Sequence, residues 1–168
     1  MLWLQKVIPT ARDQYRLKCV MNEKPEFKPS LLVVDDEPAV GRLLKRALAP
    51  LTDDVVAVES AAEALTVCLG RSFDLVISDM RMPEMDGVEL LRILSKDYPS
   101  MRRIILTGHA DLDQTLKSIN EGRVNRYLTK PFVIASLIQE VSDELRLGKR
   151  ERSEVTRLRN AIDKLSKE

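Results

Sequence analysis

Cysteine, net charge and long apolar runs are what this 168-residue chain has little of. Its two cysteines, Cys19 and Cys68, belong to no C-x-x-C pair and no Cys/His cluster, which argues against a disulfide framework or a zinc site and fits a reducing compartment. Lys and Arg number 27 against 26 Asp and Glu, a net charge of +1, so nothing in the global electrostatics draws the chain to nucleic acid or an anionic membrane. No apolar run approaches the roughly 18 residues that span a bilayer. The patch Leu2-Trp3-Leu4 is broken at once by Gln5 and Lys6, too early for a signal-peptide core. A cytoplasmic protein that binds neither membrane nor nucleic acid is expected, with length for one ordinary domain plus extensions.

From residue 31 onward, short β-branched runs alternate with segments of helical period. The runs are Leu31 to Val34, Val55 to Val58, Phe73 to Ser78, Arg103 to Leu106 and Val124 to Leu128, each short enough for a buried parallel strand. Between them, Val40, Leu43, Leu44, Ala47 and Leu48 form one apolar stripe behind Pro38, and Ala61, Ala64, Leu65 and Cys68 form another behind the capping box Ser60 to Glu63, with Gly70 expected just past its end. Asp86-Gly87 opens a third helical segment that Tyr98-Pro99-Ser100 ends. Asp111 caps a fourth that Gly122 closes, and a fifth runs on from Val133. Alternation of this kind implies right-handed crossovers and an α/β fold: a doubly wound five-stranded parallel sheet of flavodoxin-like order 2-1-3-4-5, with its ligand crevice at the C-terminal ends of strands one and three.

Carboxylates converge on that crevice. Strand one runs into Asp35-Asp36-Glu37 and strand three into Asp79. Like charges so crowded repel unless a cation neutralises them, and an oxygen donor set with room for water and phosphate suits Mg²⁺. Strand four ends at Thr107-Gly108 and strand five leads into Lys130-Pro131, which add a hydroxyl, an open space and an ammonium suited to a phosphoryl oxygen. Taken singly these are ordinary features: acidic residues start helices, a Thr caps, a Lys-Pro turns. Together they describe a phosphoryl site.

These stretches, Val33-Val34-Asp35-Asp36-Glu37-Pro38, Asp79 through Gly87, Leu106-Thr107-Gly108 and Tyr127 through Phe132, resemble the receiver domain of two-component response regulators, over residues 31 to 145. The resemblance implies that Asp79 accepts phosphate, that Asp35, Asp36, Asp79 and the backbone carbonyl of Arg81 hold Mg²⁺, and that Thr107 and Lys130 hold the phosphoryl oxygens. It also implies a cis bond between Lys130 and Pro131, a switch role for Tyr127 coupled to Thr107, and an output face made by the fourth helix, the fifth strand and the fifth helix. A sensor histidine kinase or phosphotransfer protein is the implied donor, the downstream effector is unspecified, and the only catalysis expected is of the protein's own phosphorylation and dephosphorylation. His109 reads as a loop residue near the site. Two rivals stand beside this reading. A Mg²⁺-dependent phosphohydrolase with an aspartyl-phosphate intermediate is disfavoured because such enzymes show Asp-x-Asp after strand one. A coiled-coil scaffold with a vestigial receiver is disfavoured by the intact Asp79, Thr107 and Lys130.

The two ends differ from the middle. Residues 1–30 read as an extension and linker bracketed at its end by Pro25 and Pro29, and Met21 as an alternative start. Residues 146–168 continue the fifth helix without proline. Ile134, Val141, Gly148, Val155 and Ile162 recur every seven residues, and Leu137, Leu158 and Leu165 fill the companion positions, which Glu144 and Glu151 interrupt. The last heptads predict a parallel homodimer contact. Acidic residues interspersed among Arg146, Lys149, Arg150, Arg152, Arg157 and Arg159 favour an ordinary charged helix surface over a DNA contact.

Overall fold

Alternation along the strands sorts the apolar residues onto two faces of one sheet. The computed structural model describes residues 28–108 and 124–166. Its elements are β1 (Leu31–Val34), α1 (Pro38–Leu48), β2 (Val55–Val58), α2 (Ala61–Gly70), β3 (Leu75–Asp79), α3 (Gly87–Asp97), β4 (Arg102–Thr107), β5 (Arg126–Thr129) and α4 (Ile134–Leu165). The sheet is parallel throughout, in the expected order β2-β1-β3-β4-β5. Leu31, Val33, Leu75, Ile77, Ile104 and Leu106 point to one side, where Val40, Leu44 and Leu48 of α1 and Leu137, Ile138 and Val141 of α4 cover them. Leu32, Val34, Val76 and Ile105 point to the other, beneath α2 and α3. Both faces are therefore dry, which is why the strands read as continuous apolar runs rather than as alternating ones. The fourth helical segment expected between Asp111 and Gly122, His109 and residues 1–27 lie outside the described residues.

The helix starts follow their local chemistry. Pro38 sits in the first turn of α1, where a missing N–H is harmless. The Ser60 hydroxyl accepts from the Glu63 amide, and the Glu63 carboxylate reaches back to the amide of Glu59, one residue before the cap. Asp86 caps α3 by accepting from the Glu89 amide at 2.8 Å. Gly70 is the last residue of α2 rather than the residue after it, and the chain leaves through Arg71 in extended conformation.

Three strands shift from their expected bounds. The run expected from Arg103 to Leu106 extends by one residue at each end, to Arg102 and Thr107, because Arg102 pairs with Leu75 and Thr107 with Thr129. Phe73 is buried but precedes β3, which instead takes in Asp79 because its ladder with β4 continues to the pair Asp79 and Leu106. Val124 is likewise buried before its strand begins. Beside it, the Asn125 side chain accepts the Arg103 amide, a bond a ladder carbonyl would otherwise make, so β5 starts at Arg126.

Helix α4 runs unbroken through 32 residues, across residue 145. Glu144, 1% exposed, accepts from Arg102 of β4 and Arg126 of β5. One to two turns on, Glu151 also pairs with Arg102, and Arg152 pairs with Asp74. Among the described residues, no helix is long and apolar enough to cross a membrane.

Candidate functional site

The C-terminal ends of β1, β3, β4 and β5 meet at one lip of the sheet, and each delivers one polar residue there. Asp35 follows β1 directly; its amide bonds to the Val58 carbonyl, and its carboxylate accepts the Glu37 amide at 3.0 Å. Asp79 closes β3 and is 8% exposed; its Oδ2 accepts the Arg81 amide at 3.2 Å. Lys130 follows β5, anchored by its amide to the Thr107 carbonyl at 2.8 Å. The preceding register aligns Thr107 with Thr129, so Thr107 and Lys130 leave the sheet together. The Lys130 Nζ lies 2.7 Å from Asp79 Oδ1 and donates to Asp35 Oδ2 at 3.1 Å.

One ammonium thus bridges two buried carboxylates. Burial raises the Asp35 pKa, and although Lys130 and the Glu37 amide pull it down, burial prevails. Burial alone would lower the Lys130 pKa, but its bond to Asp79 and the charge of Asp35 outweigh this and hold it above the usual lysine value. The cluster is an ion triad whose negative members outnumber the positive one.

Asp36 stands beside Asp35 on the exposed rim. The Thr107 side chain is fully buried, with its hydroxyl directed to the Gly108 carbonyl at 3.1 Å. Tyr127, at 37% exposure, is turned outward, and the Lys130–Pro131 bond is cis as the resemblance implied. Arg81 lies in the loop between β3 and α3, one residue past Met80. Asp35, Asp79, Thr107 and Lys130 are therefore gathered at the lip, Asp36 and Arg81 flank it, and Tyr127 lies on the outer strand.

Two residues that pattern reading assigned no part in the site help to shape it. Gly87 packs so closely under the site that a Cβ there would fall 2.0 Å from the Asp79 carbonyl oxygen, which the Ser78 hydroxyl also contacts at 2.9 Å. The dipeptide Asp86-Gly87 signalled a helix start but not this approach. In the same loop Glu84 takes φ 66°, and the Met85 amide closes a tight turn onto the Pro83 carbonyl at 2.7 Å.

The donor set is all oxygen, and the conformation seen already pairs a cation with Asp35 and Asp79. These carboxylates with Asp36 fit a hard divalent ion in chemical type. Among the described residues, no three such groups are preassembled as a metal cage.

A doubly wound sheet with an acidic lip faced by a lysine defines a class of α/β proteins that bind their ligands at the strand switch point. Comparison narrows the class. The family model for the response regulator receiver domain matches residues 31–142, and the chain belongs to that family, the receivers of two-component systems. The transcriptional regulatory protein GlrR of Escherichia coli is 41% identical over 125 residues, 74% of this chain and 27% of that protein. The DNA-binding transcriptional regulator NtrC of Proteus hauseri is 37% identical over 107 residues, 64% of this chain and 22% of that one. The chain thus spans about a quarter of the length of these curated relatives. Among solved structures, the signal receiver domain of an HD domain-containing protein from Pseudomonas fluorescens superposes with a TM-score of 0.70 at 37% identity, covering 75% of this chain and 93% of that one. Receivers of this family generally bind Mg²⁺, and they work with histidine kinases and downstream effectors.

Proposed function

We propose that this chain is a phosphorylation-controlled switch in which Asp79 accepts a phosphoryl group from a histidine kinase or phosphotransfer protein in the cytoplasm. The observation that carries the reading is the Lys130 ammonium held 2.7 Å from the Asp79 carboxylate at the switch point of the sheet. An Asp79 oxygen attacks phosphorus, the P–N bond of the donor phosphohistidine breaks, and the imidazole leaves with the bonding pair. Asp35, Asp36, Asp79 and the Arg81 carbonyl are the groups that would hold Mg²⁺, which when bound supplies charge neutralisation at the phosphoryl oxygens. Lys130 is placed to exchange a carboxylate partner for a phosphoryl oxygen, and Thr107 to turn its hydroxyl from Gly108 to another. Water attack on the acyl phosphate resets the state, so the catalysis is confined to the protein's own modification.

The signal then passes as a population shift to the face around Tyr127 and β5 and to helix α4. A second copy of the chain is the proposed partner of the end of α4. The test is incubation with acetyl phosphate and Mg²⁺ followed by intact-mass measurement. An adduct of about 80 Da is expected in the wild type and not in Asp79→Asn. An adduct that persists undiminished in the variant would assign the acceptor elsewhere.

A further inference from the structure

One edge of the sheet is open beside a helix of one charge. Strand β2 ends the order β2-β1-β3-β4-β5 and pairs only with β1. Asp54, just before the strand, and Val58, its last residue, turn their carbonyls to β1, where they accept the amides of Leu31 and Asp35. Alternation along the strand therefore points the N–H and C=O groups of Val55 and Ala57 outward, where no strand pairs with them among the described residues. Helix α1 runs along this edge. At Gly41 it comes so near that a Cβ there would stand 3.6 Å from the Ala57 Cβ. Beyond that point it carries Arg42, Lys45 and Arg46, all exposed, and the helix contains no acidic residue. None of the three has an ion-pair partner among the described residues, whereas Arg92 of α3 is held by Glu89 of its own helix. The helix C-terminus favours Lys45 and Arg46 in the last turn, but Arg42 lies a turn earlier and repels Arg46. With Val55 the three cations line a groove of about 400 Å³ in which Asp53 is the one acidic residue.

We infer that an extended acidic segment of a partner protein adds to the sheet beside β2, its backbone bonding to Val55 and Ala57 and its carboxylates, at every second residue, meeting Arg42, Lys45 and Arg46. The spacings agree. Alternate residues of a strand stand about 7 Å apart on one face, and helix residues four apart, such as Arg42 and Arg46, about 6 Å. The residues between the carboxylates fall on the other face of the sheet, where Val56 and Leu65 are only partly buried, so apolar side chains suit those positions. A second copy's β2 does not fit, because joining two such edges brings two sets of cations together. The chain's own leader does not suit either, since residues 1–27 hold five Lys and Arg against three Asp and Glu. The groove includes none of the residues at the acidic lip, so the inference does not rest on phosphate acceptance at Asp79.

The test uses the full chain and a short peptide alternating Glu and Val, titrated to millimolar concentration at low salt and followed by NMR. Slowed hydrogen exchange at the Val55 and Ala57 amides is expected, with binding weakened about tenfold by high salt or by Arg42→Glu/Arg46→Glu. Ala57→Pro removes one outward N–H while leaving the ladder to β1, as an edge strand tolerates, and is expected to abolish the protection with the cations unchanged. No protection at millimolar peptide overturns the inference. Binding that survives Ala57→Pro, or that perturbs the cations while Val55 and Ala57 exchange as before, overturns strand addition. Undiminished affinity in the charge-reversed variant overturns the role of the cations. Equal binding of a peptide alternating Lys and Val, or tighter binding of duplex DNA, overturns the acidic protein partner.

Discussion

Asp35 and Gly87 show how little room single residues have at the lip of the sheet. Asp35 is 1% exposed, and burial holds its pKa above the ordinary aspartate value despite Lys130. A carboxyl whose pKa is higher in the folded than in the unfolded state favours folding in its protonated form. Its contribution is fully present below the unfolded value and is lost as pH rises through the folded one. Asp35→Asn is therefore expected to melt higher than the wild type near pH 7, and the gain to disappear as pH falls through the carboxylate range. Thermal melts at about pH 7 and about pH 3 check this. A variant that melts lower near neutrality would show that the attraction to Lys130 outweighs burial. At Gly87 the obstacle is backbone, not a flexible side chain, because the Asp79 carbonyl oxygen stands 2.0 Å from the place of a Cβ. Gly87→Ala is expected to lose about 3 kcal/mol in urea unfolding by forcing α3 away from β3. A loss below about 1 kcal/mol would mean that the loop yields easily.

At the scale of elements, β1 and β2 were legible to the residue because their apolar runs coincide with their ladders. The ends of β3, β4 and β5 were not, because the Asp79 pairing and the Asn125 side chain set those of β3 and β5 through contacts with β4, and the pairs Leu75–Arg102 and Thr107–Thr129 lengthen β4 itself. Helix α4 was legible as a long helix, from the absence of proline after Val133 and the seven-residue repeat. The meaning of its two interrupting glutamates was not. Arg102 binds both, and its side chain is 12% exposed. Arg102→Ala would leave the buried Glu144 with Arg126 as its cation and release Glu151. The expected result is a loss of about 2 kcal/mol in stability. Hydrogen-exchange protection should fall around residues 148 to 152 while residues 137 to 145, packed on the sheet, keep theirs. Unchanged protection past Gly148 would mean that helix propensity alone holds this stretch.

For the molecule as a whole, the sequence by itself determined the α/β class, the strand order, and which acidic, hydroxyl and lysine side chains end the strands. Those follow from period and from short motifs, which are properties of neighbouring residues. Only the tertiary structure decided that Lys130 bridges Asp35, 95 residues away, and Asp79, and that Arg102 draws in Glu144 from 42 residues away. Such pairings depend on ladder register and on how crossover helices seat against the sheet, and burial then makes each buried charge find a partner. Local pattern carries no record of which partner that is.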